Sequence, residues 1–119
     1  MKCSSVVTTA FFMTALLFSV SANADCARIA YSRTTGSYGT GYETGSCSSA
    51  SSDKAVDACW KSDCIVELTV QGQCGSIARQ VDNTQYISTG VAASKSGAGN
   101  KAMAACGSNC KLVTSICAD

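Results

Sequence analysis

The sequence predicts an α+β fold of two repeated strand–strand–helix–strand units. These form one mostly antiparallel sheet with two helices on one face, crosslinked by disulfides. Three observations carry that expectation. One motif occurs twice: Lys54-Ala-Val-Asp-Ala-Cys59 followed by Cys64, and Lys101-Ala-Met-Ala-Ala-Cys106 followed by Cys110. Each copy runs into an apolar stretch with strand character, Ile65-Val66 in the first and Leu112-Val113 in the second. The cysteines are dense, and even in number once a leader is removed.

The leader is read from residues 1–24. Lys2 supplies a positive start, Val6 to Val20 is apolar apart from small hydroxyls, and Ala22-Asn23-Ala24 offers the small-x-small cleavage pattern. The run is short for a bilayer span, so no stable membrane insertion is expected after cleavage. Asp25 before Cys26 does not fit a lipoprotein signal. The mature chain is therefore expected to be residues 25–119, a single periplasmic or secreted domain with its repeats at about 27–74 and 75–117. Cys3 leaves with the leader. Cys26, Cys47, Cys59, Cys64, Cys74, Cys106, Cys110 and Cys117 remain. That density in an exported chain points to a disulfide scaffold supporting a modest core.

Each element can be placed in order. Ala27 to Arg33, a turn at Thr34-Thr35-Gly36, and Ser37 to Glu43 read as a hairpin. A helix over about Ala50 to Trp60 is predicted with Ser49 as its N-cap, and Ala55, Ala58 and Cys59 make its small face. Ile65 to Val70 is the clearest strand, with Val66, Leu68 and Val70 on one face and Glu67 and Thr69 toward water. In the second half Ile77-Ala78 echoes Ile29-Ala30, and Tyr86 echoes Tyr38 at the same offset. The turn falls at Asp82-Asn83-Thr84. Ser96 is read as the N-cap of a second helix, about Gly97 to Cys106, with Ala98, Ala102 and Ala105 on one side. Lys111 to Ile116 is the returning strand.

Sequence alone cannot choose among the pairings of eight cysteines, but the repeat favours some. Cys59 with Cys64 and Cys106 with Cys110 would each close a helix-to-strand turn at a spacing that suits a disulfide. Cys74 and Cys117 each follow the strand that leaves a helix, and pairing them would tie the two halves together. Cys26 and Cys47 then remain. A redox enzyme would want Cys-x-x-Cys, which is absent. A zinc site would take spacings such as Cys106-x₃-Cys110, but even parity in an exported chain favours disulfides. No metal site or cofactor is expected.

Ile29 to Ser32, the Lys-Ala-Val-Asp-Ala-Cys-x₄-Cys run, Cys74-Gly-Ser-Ile-Ala78, and Ala-Ala-Cys-x₃-Cys before a last Cys together resemble the bacterial exported domain-of-unknown-function family 4189. The resemblance covers nearly all of residues 25–119. It implies a small secreted or periplasmic module and supplies no catalytic residues.

Function is narrowed mainly by what is missing. The chain has no His, the commonest general base and metal ligand. Carboxylate chemistry would need two of Glu43, Asp53, Asp57, Asp63, Glu67 and Asp82 in one cleft, so no enzyme is expected and no catalytic residue is assigned. Without Lys2 the basic and acidic residues balance, which argues against nucleic acid as a partner. Tyr31, Tyr38 and Tyr42, set among Gly, Ser and Thr, together with Trp60, are the candidate binding residues for another protein. Two simpler roles stand beside that one: Tyr31 or Tyr38 packs in the core, which the repeat of Tyr38 by Tyr86 supports for that pair, and Trp60 covers the adjacent disulfide. The protein is expected to be a periplasmic inhibitor or immunity protein that blocks a cell-wall-targeting toxin or hydrolase. The alternative is a secreted effector acting on host or neighbouring cells.

Overall fold

The structure, a computed structural model, describes residues 25–118; the expected leader lies outside the described residues. Two units follow one another. Strands β1 (Cys26–Tyr31) and β2 (Tyr38–Glu43), helix α1 (Ser49–Cys59) and strand β3 (Ile65–Gln71) make the first. Strands β4 (Cys74–Gln80) and β5 (Asn83–Ala92), helix α2 (Lys95–Cys106) and strand β6 (Cys110–Cys117) make the second.

All pairings are antiparallel, and the strands divide between two three-stranded sheets, β2-β1-β3 and β5-β4-β6. The α+β class and the duplicated unit are as the sequence indicates, but the single sheet is replaced by two. The reason is burial. A six-stranded sheet with both helices on one face would leave Ile29, Leu68, Val70, Ile77 and Ile116 facing water. Stacked face to face, the two sheets bury those side chains against one another, with Ala27 and Ala118, in one shared core. Fully burying an aliphatic side chain of this size contributes roughly 1.5–3 kcal/mol. Each helix then covers the outer face of its own sheet: Ala55 and Cys59 of α1 meet Ala30, and Ala102 and Cys106 of α2 meet Ala78. The central strands β1 and β4 are covered on both sides.

The helices carry little bulk, so they must come very close to gain anything. The buried face of α1 is Ser51, Ala55 and Cys59, and that of α2 is Ala98, Gly99, Ala102 and Cys106. Ala58 and Ala105, expected on those faces, point to solvent because the i, i+4, i+8 row is completed by the cysteine. The sheet makes room with glycine. A Cβ on Gly41 would collide with Ser51 O and Ala55 N, and one on Gly90 with Ala98 O and Ala102 N. The same register irregularity also recurs, between Ile29 and Ala30 in β1 and between Ile77 and Ala78 in β4. It sets Val66 opposite Ala30 and Leu68 opposite Ile29, so Val66 does not continue the Leu68–Val70 face.

Capping differs slightly from expectation. Ser48, not Ser49, is the N-cap of α1, and Ser94, not Ser96, that of α2; their hydroxyls accept from Ala50 N (3.2 Å) and Gly97 N (3.1 Å). Glu43 reinforces the first cap from the end of β2. Its carboxylate accepts from the Ser48 hydroxyl (2.6 Å), the Ser48 amide (2.8 Å) and the Ser51 amide (3.0 Å). These bonds, the Ser48 hydroxyl foremost, pull its pKa from 4.5 down to about 2. A carboxyl lowered on folding stabilises the fold above its ordinary pKa and loses that contribution as pH falls toward the folded value. Glu43→Gln is therefore expected to be less stable than the parent at pH 7, the gap closing between about pH 4.5 and 2. Urea titrations of both proteins across that range measure it, and a gap unchanged at pH 2 would contradict the capping role.

Four disulfides close the frame: Cys26–Cys47, Cys59–Cys64, Cys74–Cys117 and Cys106–Cys110. The placement of Cys74 corrects the sequence reading. Cys74 opens β4 as Cys26 opens β1, and it lies directly opposite Cys117 on β6. Its bond seals the second sheet and does not tie the halves together. What joins the units besides the shared core is a set of hydrogen bonds at the β1–β2 turn. Tyr31 donates to Thr84 O (2.7 Å), Thr84 Oγ1 to Arg33 O (2.6 Å), and Arg33 Nη1 to Gln85 O (3.0 Å).

Candidate functional site

The four aromatic candidates do not form one patch. Tyr31 lies on the central strand β1, is fully buried, and has its hydroxyl committed to Thr84. Burial pushes its pKa up. It is a core residue and leaves the candidate surface. Tyr38 and Tyr42 stand near opposite ends of the edge strand β2, 45% and 40% exposed. They are four residues apart, so about 13 Å separates them along the strand. Tyr86 is equally open at 44%, so the expected core role for the Tyr38–Tyr86 pair is not what the fold builds. Both tyrosines sit on edge strands.

Trp60 is on the helix layer. It ends α1 in the left-handed region at φ 43, ψ 39, its amide bonded to Val56 O (3.1 Å). It is 74% exposed, which leaves little of the ring to cover the neighbouring disulfide. Lys61 Nζ sits 4.5 Å from the ring centroid. The segment bearing it is held at three points. The Cys59–Cys64 bond closes its base, and Asp63 accepts from the Ser32 hydroxyl (2.6 Å) and the Thr34 hydroxyl (2.8 Å). Those two bonds hold the Asp63 carboxyl below its ordinary pKa. The corresponding cap in the second unit is Gly107, at φ 95. A bulky residue with positive φ is uncommon and costs energy that glycine does not.

A shallow cleft of about 140 Å³ opens where β2, β4 and β6 meet, lined by Gly36, Tyr38, Arg79, Lys111, Leu112 and Val113. Of these, sequence reasoning identified only Tyr38. A signal for the others was present in the repeat itself. Ladder pairing makes Arg79–Lys111 of β4 and β6 the counterpart of Tyr31–Ile65 in β1 and β3. Two apolar residues in one unit have become two cations in the other.

The carboxylates weighed for acid–base chemistry are dispersed. Glu43 caps α1, Asp63 clamps the Trp60 loop, and Glu67 pairs with Arg33 at 3.0 Å. Among the described residues no three His, Cys, Asp or Glu side chains gather so as to hold a metal ion. Among them, too, no helix is long and apolar enough to cross a membrane. Neither the curated proteins nor the solved structures contain a match to the chain. The model of one family, described as Domain of unknown function (DUF4189), matches residues 27–117, and the chain belongs to that family.

Proposed function

We propose that this is an extracytoplasmic protein-binding module that catalyses nothing, and that its partner is a cell-wall-targeting toxin or hydrolase which it inhibits. The observation that carries the reading is Trp60. A large aromatic side chain is held in a costly backbone conformation, three-quarters exposed, on a disulfide-closed loop clamped through Asp63. The second unit stops its helix at the same position with glycine, at φ 95, ψ −140, its amide likewise bonded to the carbonyl four residues back, so the helix stop itself does not ask for tryptophan. Exposed aromatic anchors on pre-ordered loops give up little entropy on binding and often dominate interface energies. Support against catalysis comes from the absence of His and from the structural engagement of Glu43, Asp63 and Glu67. The cysteine-rich frame and the leader pattern favour a compartment outside the cytoplasm.

The test is affinity capture with the oxidised mature protein, residues 25–119, from periplasm and from culture medium, with mass-spectrometric identification of what is retained. Trp60→Ala should weaken the captured partner's affinity by about thirtyfold, the effect of losing a 2 kcal/mol hot spot. Trp60→Gly, which restores the second unit's residue, should melt no lower than the parent while binding equally poorly. A partner held undiminished by both variants and by Tyr42→Ala would remove this surface from consideration. Turnover of a wall or glycan substrate by the purified protein would overturn the binding class.

A further inference from the structure

We propose that the cleft between β2 and β6 is a carboxylate-recognition subsite. Arg79 and Lys111 take an acidic side chain of a protein partner, and Tyr38 and Val113 take the apolar residue beside it. The proposal rests on the protein-binding reading above and names the chemistry of one contact in it.

Arg79 on β4 and Lys111 on β6 are directly opposite in the ladder. Like charges in that position destabilise a sheet. The first unit builds the equivalent pair from Tyr31 and Ile65, so the architecture has no need of cations there. No acid among the described residues answers them. Among the described residues the one ion pair is Arg33–Glu67, and the cleft lining contains no Asp or Glu. Arg79 Nη1 donates to the carbonyls of Gln80 (3.2 Å) and Val81 (3.4 Å), which fixes the guanidinium in place. A fixed guanidinium fork matches a carboxylate, and an ammonium beside it adds a point charge. A bound carboxylate would thus convert an internal repulsion into two attractions.

Size and lining choose the bearer of that carboxylate. At about 140 Å³ the cleft is well under the volume of a small-molecule pocket. It suits one side chain of a larger partner. Its other walls are apolar: Tyr38 is 45% exposed and Val113 lies beside it, whereas the Leu112 side chain turns toward Gly99 of α2. A phosphate would leave those walls unused, whereas Glu or Asp next to an apolar residue fills both halves.

The experiment titrates ¹⁵N-labelled oxidised mature protein with acetyl-Leu-Glu-Leu-amide, against acetyl-Leu-Gln-Leu-amide and inorganic phosphate. Saturable shifts at Tyr38, Lys111, Leu112 and Val113 are expected with the Glu peptide. The Gln peptide should bind the parent at least about tenfold more weakly, and Arg79→Gln or Lys111→Ile should weaken the Glu peptide to the same degree. Lys111→Ile should also melt no lower than the parent, because it removes the facing charge, so lost binding is not lost folding. Absent shifts, shifts elsewhere, equal binding of the Gln peptide, or phosphate binding as strongly as the Glu peptide would overturn the proposal. The two readings fail separately. A captured partner that depends on Trp60 but is indifferent to both cation variants defeats the subsite alone. A cleft that takes the Glu peptide when capture retains no protein defeats the partner reading and leaves the carboxylate chemistry standing.

Discussion

Replacing Cys74 and Cys117 together by alanine is expected to cost about 4 kcal/mol of stability, the largest effect of any disulfide in the molecule. The bond spans 43 residues, against 21 for Cys26–Cys47 and five and four for the two short bridges. In the chain-entropy account those loops correspond to about 3 kcal/mol for Cys26–Cys47 and about 2 kcal/mol for each short bridge. Location adds to length. Cys74 and Cys117 face each other at the ends of β4 and β6, next to the buried Ile116, and Ala118 N closes the strand end by donating to Gln73 O (2.7 Å). In a domain of this size 1 kcal/mol corresponds to roughly 4–8 °C, so the midpoint should fall by about 15–30 °C. Thermal melts of the four paired-alanine variants provide the check. A short-bridge variant melting below the Cys74/Cys117 variant would mean that local geometry, not loop length, sets the order.

The second large effect is expected from a single methyl group. Gly41→Ala and Gly90→Ala should each destabilise by about 2–3 kcal/mol, the upper part of the usual range for overpacking. In both cases the added carbon would run into helix backbone, at Ser51 and Ala55 of α1 or at Ala98 and Ala102 of α2. Backbone cannot rotate aside as a side chain can. The helix must lift off, and its small face then loses the contact that justified its position. Gly45→Ala is the control: nothing lies within 4 Å of its Cβ, and its φ of 79 carries only a conformational cost of about 1 kcal/mol. Urea denaturation of the three variants should place Gly41→Ala and Gly90→Ala together and Gly45→Ala well above them. A near-neutral result at either buried glycine would show that the helices sit more loosely than described.

Much of this architecture can be read from the residues because it was written twice. The helix and strand segments follow from apolar spacing and from the shared Lys-Ala-x-x-Ala-Cys motif, and the short bridges follow from its cysteines. The division into two sheets was harder to see. It depends on which strands are covered on both faces, and the cue is continuity rather than alternation. In β1, Ala27, Ile29, Ala30 and Tyr31 are all fully buried, and β4 is buried from Cys74 through Ala78. A strand of an open, one-sided sheet would not show that. The same continuity marks Tyr31 as the core residue of the two roles open to it. Cys74 and Cys117 each follow a strand and do pair, but the repeat offset that relates Ile29 to Ile77 also relates Cys26 to Cys74, which puts Cys74 at the start of the second unit. Arg79 and Lys111 are not legible in the sequence for a different reason. Each alone is an ordinary surface cation, and only the register of β4 with β6 brings them face to face.

The central claim is that the molecule consists of two units, each covalently closed within itself, meeting through a shared core and a few hydrogen bonds. Disulfide mapping of the oxidised chain of residues 25–119 tests it most directly. Proteolysis without reduction, followed by mass spectrometry, should yield Cys26–Cys47 and Cys59–Cys64 from the first unit, and Cys74–Cys117 and Cys106–Cys110 from the second. Any bond joining Cys26, Cys47, Cys59 or Cys64 to Cys74, Cys106, Cys110 or Cys117 would contradict the account.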